Sequence, residues 1–329
     1  MNAGVDLPRP PLFVLPAPDI SAWRAGNTGT QGVWQFDSGQ IGRHVLITAL
    51  VHGNELCGAW ALKGLLEAGL RPQRGMVTLT FCNLAAFDRF DPANHDASHF
   101  TDEDLNRQWT DTRINAADTQ ERRRAAALRP FIAQADWLLD IHSMHEPSPP
   151  LLLTGMFPRN RALARALRSP EHIVVDSGHR DGVRMRDYGH FGLPDATAGD
   201  KCALLIECGF HGDPASRAVA QDQCVRFLAQ SGALSSDALT LQLPLWRLPD
   251  AARQWALVVT DPVVATSSAF HFAAPYTGLE TLARAGTVIG HNDGIPVLTP
   301  YDDCVLVMPS TRQARAGVTV VRHARRMAL

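Results

Sequence analysis

The run VLITALVHGNELCG, residues 45–58, constrains this chain more than any other stretch. An apolar, β-branched segment stops abruptly at His52-Gly53-Asn54-Glu55, and a helical pattern begins at once. A continuous rather than alternating apolar run suits a strand buried on both faces, as in a parallel sheet covered by helices. His52 and Glu55 stand three residues apart at the handover, a spacing that lets an imidazole and a carboxylate converge on one point. A third ligand is on offer at His142, which ends another apolar run, WLLDIH. Two histidines and one glutamate with an open fourth position make a catalytic zinc arrangement. The pattern therefore predicts one zinc ion per chain and a hydrolase that uses an activated water.

The same texture continues to about residue 235. Strands are predicted at 44–51, 76–83, 137–142, 172–176 and 203–209, and helices at 55–70, 115–135, 159–168 and 214–230. Alternation of this kind argues a largely parallel α/β sheet. After about residue 240 the runs LQLPLWRLPD, WALVVTD, GTVIGHNDG, IPVLTP, CVLVMP and VTVVRHA are short and separated by Gly, Pro, Asn and Asp. They predict a small all-β unit. The expected organisation is a catalytic domain over 1–238 and a small β-rich C-terminal domain over 239–329. The Pro/His/Asp-rich stretch 88–103 reads as a long loop, a frequent site of function.

Charge narrows the partners. Thirty-one basic and 33 acidic residues give a net charge of −2, which leaves no basic footprint for nucleic acid and no polybasic membrane signal. No run of about 18 uncharged apolar residues is present to span a bilayer. Pro8, Pro10, Pro11, Pro16 and Pro18 interrupt the N-terminus, which makes a poor signal peptide. The six cysteines form no CxxC pair and read as reduced thiols of a cytoplasmic protein. Oligomeric state is left open, a homo-oligomer included.

Polar residues fall where such a sheet needs them. His52/Glu55, Asn83, Asp140/His142 and Glu207 all close predicted strands. Ligands of open α/β sheets bind beyond the carboxyl ends of the strands. A carboxylate at Glu207, inside ALLIECGF, would cost several kcal/mol unless it had a partner or a task. Taken singly, each has a plain structural explanation: a chance His-x-x-Glu, a hydrogen-bonded core histidine, half of an ion pair. Their joint placement favours a metal centre. Asp104-Leu105-Asn106-Arg107 suits a helix start, and equally an anion grip with Arg107 making paired hydrogen bonds and Asn106 adding one. The run 176–192 offers Arg184, Arg186 and Tyr188 as a solvated loop or as a specificity loop. His95, His99, His145 and His211 are further pocket candidates, most of them expected outside direct contact.

HGNE (52–55), DLNR (104–107), DIHS (140–143) and ECG (207–209), in this order, resemble the succinylglutamate desuccinylase/aspartoacylase family of the zinc carboxypeptidase superfamily. The likeness covers about residues 40–230, and the β-rich tail is similar to the small C-terminal domain of those proteins. It implies a three-layer, carboxypeptidase-like α/β fold with a mixed, mainly parallel sheet and flanking helices. It implies that His52, Glu55 and His142 bind zinc, that Glu207 is general base and acid, and that Asn106 and Arg107 hold a substrate carboxylate. The expected partner is then a small N-acyl amino acid whose amide bond is cleaved. Where aspartoacylases often carry an Arg-Tyr pair before DLNR, this chain has Ser98-His99-Phe100-Thr101, so His99, or Arg184 or Arg186, takes the place of that arginine. Tyr276 and Tyr301 are the candidates for a C-terminal substrate-binding tyrosine. Two other readings share these residues: a metallocarboxypeptidase or ester hydrolase on the same site, and a metal-binding or regulatory protein without turnover.

Overall fold

The computed structural model describes residues 12–329 except Gln313, so Pro8, Pro10 and Pro11 lie outside the described residues. Its strands are β1 (Val33–Asp37), β2 (His44–Ala49), β3 (Met76–Phe81), β4 (Trp137–Met144), β5 (Leu151–Leu153), β6 (His172–Val175) and β7 (Cys202–Phe210). The C-terminal region adds β8 (Trp255–Val264), β9 (His271–Phe272), β10 (Thr281–Leu282), β11 (Val288–Asn292), β12 (Ile295–Leu298), β13 (Cys304–Val307) and β14 (Thr319–Ala328). An eleven-stranded sheet runs β1-β3-β2-β4-β7-β5-β6-β8-β14-β13-β10, and β12-β11-β9 form a separate three-stranded sheet. The centre, β3-β2-β4-β7, is parallel, as the continuous apolar runs predict.

Successive residues of the central strands feed opposite layers. Ile47, Leu139 and Leu204 pack with Leu62 and Leu65 of the helix Leu56–Glu67 and Phe227 of the helix Pro214–Ser231. Their neighbours Leu46, Leu138 and Ala203 pack with Leu128 and Ile132 of the helix Gln120–Gln134. Each large aliphatic side chain so buried contributes about 1.5–3 kcal/mol. The result is a three-layer α/β body with flanking helices and a distinct antiparallel β region, the fold class expected.

Local chemistry corrects some boundaries. The helix expected over 115–135 is two helices, Asp111–Ala116 and Gln120–Gln134, separated by Ala117 in a left-handed conformation with φ 47°. Thr119 restarts the chain by accepting a hydrogen bond from the Arg122 N–H. LQLPLWRLPD is no strand: it closes the helix Ser236–Gln242, capped by Ser235, and continues as irregular chain to β8. Pro244 and Pro249 there lack the N–H a ladder needs. The short strands β1 and β5 carried no recognised signal; β5 runs antiparallel to β7.

The sheet does not stop where the sequence texture changes. β8 pairs in parallel with β6, and β14, β13 and β10 extend the same sheet antiparallel. Among the described residues no helix is long and apolar enough to cross a membrane.

Close approach of the first helix to the sheet rests on Gly58. A Cβ there would lie 2.8 Å from the Ala49 Cβ and 3.0 Å from the Ile141 Cγ2. Gly58→Ala gains about 0.5–1 kcal/mol of helix propensity but overpacks the layer at a cost of about 1–3 kcal/mol. Net destabilisation is expected in a urea melt; an unchanged or raised midpoint would show that the layer gives way.

Candidate metal centre and active site

The turn after β2 is held in a costly shape. Leu50, fully buried, has φ 55°, a region an ordinary side chain rarely adopts. Its carbonyl accepts from the Asn83 N–H at 2.6 Å, and the Ala49 carbonyl from the Cys82 N–H at 2.8 Å. Gly53 follows where only glycine fits: a Cβ would sit 2.4 Å from the Ser98 carbonyl oxygen and from the Ala86 carbonyl carbon. The bend turns His52 and Glu55 back over the carboxyl ends of the strands.

There the three predicted ligands meet. His52 Nδ1 lies 2.9 Å from Glu55 Oε1, and His142 Nδ1 lies 2.8 Å from Glu55 Oε2. All three residues are buried. The outer ring nitrogens are tied to further carboxylates: His52 Nε2 to Asp104 Oδ1 at 2.9 Å, His142 Nε2 to Asp140 Oδ2 at 3.0 Å. Asp140 is oriented in turn by the Thr48 hydroxyl at 2.6 Å. Carboxylates behind histidines in this way fix ring orientation and leave both Nδ1 atoms aimed at one point, as metal-binding imidazoles require. One potential ligand atom from each of His52, Glu55 and His142 lies within 4.8 Å of the others. Two nitrogens and a carboxylate suit zinc.

Charge is concentrated here. Burial opposes ionisation of His52, but the Glu55 and Asp104 carboxylates push it up to about 9. Burial likewise opposes the charged form of His142, and Asp140 and Glu55 hold it well above the usual range. Glu55 is disfavoured as an anion by burial, yet the two histidines hold it well below the ordinary carboxylate range. Without a metal, protons on the histidines balance the carboxylates that a divalent cation would satisfy.

Glu207 differs. It is the register partner of His142 on the adjacent parallel strand and lines the same cavity. Its Oε2 is buried without a hydrogen-bond partner. Burial holds its carboxyl well above the usual range, with His142 pulling it down and Glu55 pushing it up. A carboxyl so placed can carry a proton.

The loop before DLNR is organised by Glu121, a fully buried residue that the sequence reading passed over. Its carboxylate accepts from the Thr101, Asp102 and Glu103 main-chain N–H groups at 2.7, 3.0 and 3.2 Å and from Asn83 Nδ2 at 2.9 Å. Asp104 is thereby delivered to His52. It also caps the short turn Leu105–Arg107 by accepting from the Asn106 N–H, as the helix-start reading expects. Asn106 accepts from the Met185 N–H at 2.9 Å and points its Nδ2 to within 3.4 Å of His142 Nε2. Arg107 lines the cavity while pairing with Asp104 at 3.4 Å and Asp181 at 3.2 Å.

Of the arginine-rich loop only part reaches the cavity. Arg184 lines it, with its guanidinium bound to Asp176 at 2.9 and 3.1 Å and Asp187 at 2.6 Å. Arg186 and Tyr188 do not line it. Arg186 donates to the Thr154 and Ala203 carbonyls at 2.8 and 2.9 Å and tethers the loop to the sheet. Tyr188 donates to Asp111 at 2.6 Å on the far side of the loop. Asn83 is likewise structural, capping the short helix Leu84–Phe87. Tyr276 packs on Phe272 and Tyr301 bonds Thr260; neither lines the cavity.

His99 does line it, stacked on His52 with ring centroids 3.8 Å apart. Burial, with His52 and His145 adding to it, holds His99 well below the usual histidine range, so it is neutral. The sequence reading missed Arg322, which β14 carries into the cavity. This buried guanidinium touches the His179 ring at 3.2–3.3 Å and has no carboxylate within 4 Å among the described residues. Its only sequence signal was an arginine closing the apolar run VTVV.

Fold and site together define an α/β protein with a two-histidine, one-carboxylate centre at the carboxyl edge of its sheet. The family model of the succinylglutamate desuccinylase/aspartoacylase catalytic domain matches residues 41–196 of this chain. The family names describe deacylases, a class of hydrolases. A comparison with curated proteins gives no match. Among solved structures, succinylglutamate desuccinylase of Vibrio cholerae aligns with TM-score 0.62 and 16% identity, over 90% of this chain and 86% of that one. A succinylglutamate desuccinylase/aspartoacylase of Rhodobacter sphaeroides aligns with TM-score 0.58 and 20% identity, over 88% and 87%. The ectoine utilization protein EutE (DoeB) of Ruegeria pomeroyi, solved with product bound, aligns with TM-score 0.57 and 18% identity, over 87% and 86%. At these identities the likeness is one of fold.

Because Asp104 orients His52, Asp104→Ala should weaken zinc binding about 10–100-fold. Competition against a chromogenic chelator measures this; undiminished affinity would remove Asp104 from the centre.

Proposed function

We propose that this chain is a zinc-dependent hydrolase that cleaves the amide bond of a small N-acyl amino acid. The observation that carries the reading is the convergence of His52, Glu55 and His142 beside Glu207, whose Oε2 has no hydrogen-bond partner among the described residues. His52, Glu55 and His142 would hold the zinc ion. When bound, the ion supplies Lewis acidity towards a water and the scissile carbonyl.

The chain's own residues do the rest. Glu207 takes a proton from the attacking water and delivers it to the departing amine nitrogen as the C–N bond breaks, leaving a carboxylic acid and an amine. Asn106, held by the Met185 N–H, lines the cavity beside the His142 ring. Arg107 and Arg322 place positive charge on the wall, and among the described residues Arg322 makes no ion pair within 4 Å, Asp176 being the main opposite charge acting on it from further off. A substrate carboxylate satisfies it, and orientation of that kind removes several kcal/mol of barrier. His99, neutral and stacked on His52, shapes the acyl side.

The region 239–329, proposed as a unit of its own beside the catalytic unit 1–238, closes the cavity. Met308, Pro309, Ser310, Val318 and Thr319 line it. Arg312 ties this wall to the histidine-rich loop through Glu146 at 2.7 Å and Asp96 at 3.1 Å. A wall so fastened favours small acyl compounds over polypeptides. The six cysteines, all buried and unpaired, suit the reducing cytoplasm.

Two outcomes test the reading. Glu207→Gln should keep the metal yet lose about 10²–10⁴ in kcat on a panel-identified N-acyl amino acid. Near-full turnover by that variant would end its role as proton carrier. Arg322→Gln should raise KM about 10–100-fold, the loss of a charge-assisted hydrogen bond of about 1.5–3 kcal/mol. Equal KM values would place the substrate carboxylate elsewhere.

A further inference from the structure

A second histidine cluster adjoins the first centre. His99 comes from the loop before DLNR, His145 follows β4, and His211 follows β7. Their ring centroids form a triangle with sides of 4.7, 4.8 and 6.2 Å. The rings are tilted by 43°, 78° and 43° rather than stacked. One ring nitrogen from each lies within 4.8 Å of the others.

We propose that His99, His145 and His211 bind a second divalent cation of the imidazole-preferring class, zinc foremost, separate from the set His52, Glu55 and His142.

Three observations support the site. The first is the engagement of the outer nitrogens. His99 Nδ1 meets Asn54 Oδ1 at 2.9 Å, His211 Nδ1 meets the Ser143 hydroxyl at 2.8 Å, and His145 Nδ1 lies 3.4 Å from Asp96 Oδ1. Metal-binding histidines have one ring nitrogen held by a polar neighbour in this way, which presents the other to the ion. The second is His211 Nε2. It belongs to a fully buried residue and has no hydrogen-bond partner among the described residues. A buried ring nitrogen left so is unfavourable, and a bound cation would satisfy it. The third is access. His99 and His145 stand on the cavity wall, so a cation can enter and a fourth ligand can come from the cavity side.

The donor set selects the ion. Three imidazoles suit zinc, copper, nickel or cobalt, while magnesium and calcium require oxygen ligands. Three-histidine sets with an open position are an established zinc geometry.

The test counts metal. The full chain is stripped with chelator, dialysed against zinc chloride, and its metal measured by atomic absorption. Wild type should hold two equivalents. His211→Gln should hold one, and so should His145→Gln, whose half-buried site tolerates change if the first variant misfolds. Circular dichroism checks that each variant is folded. Cobalt titration gives an independent readout, with two successive absorption phases in wild type and one in each variant. Loss of one equivalent in both folded variants supports the site whatever the first centre holds, and retention of the full wild-type content by a folded variant overturns it.

Discussion

The parallel pairing of β2, β4 and β7 is the constraint on which the molecule's chemistry depends. It sends three carboxyl ends to one edge, where open α/β sheets bind their ligands. Register does the finer work. Thr48 stands opposite Asp140 and His142 opposite Glu207, so the residues proposed as support, ligand and proton carrier arrive together. A slip of one residue between β4 and β7 would turn one set to the opposite face. The apolar layers therefore do more than stabilise: by holding Leu138 and Leu139 to opposite sides they hold His142 on its own.

The buried charge at that edge is arranged outward from Glu55. Its carboxylate lies between two imidazoles, each imidazole is backed by an aspartate, and Asp140 is held by a threonine. Buried ion pairs repay their desolvation poorly in stability. Their worth here is orientation, since each donor has one direction left to face. The strained Leu50 and the close-packed Gly53 are further costs of the same arrangement, met by the surrounding core.

Much of this was legible in the sequence, and for a physical reason. Ligands at strand ends follow continuous apolar runs, so HGNE and DIHS could be read with their elements, and Glu207 stood out as a carboxylate inside an apolar strand. Side chains delivered by loops were less legible. Arg184, Arg186 and Tyr188 share one short segment, yet Arg184 reaches the cavity while Arg186 and Tyr188 point elsewhere, because Asp176, Asp187, Asp111 and two main-chain carbonyls claim them. Asp187 and Asp176 are near in sequence, but Asp111 and the Thr154 and Ala203 carbonyls are distant, and they decide where Tyr188 and Arg186 turn. Arg322 was missed because its strand's place in the sheet depends on pairing with β8, which no local pattern encodes. The break at Ala117 escaped because alanine is an excellent helix former; the Thr119 cap decided it.

Glu121 has an evolutionary corollary. It grips the segment ahead of Asp104 through main-chain N–H groups and touches none of the side chains at 101–103. Asp102 and Glu103 are tied further by their own side chains, to the Gln120 N–H and to Arg122, whereas Thr101 is held through its main chain, so position 101 can be rewritten without moving the aspartate behind His52. A replaceable residue and the fixed support behind the proposed metal centre can thus stand three positions apart on one short length of chain, so that the loop can drift in sequence while Asp104 stays where it is.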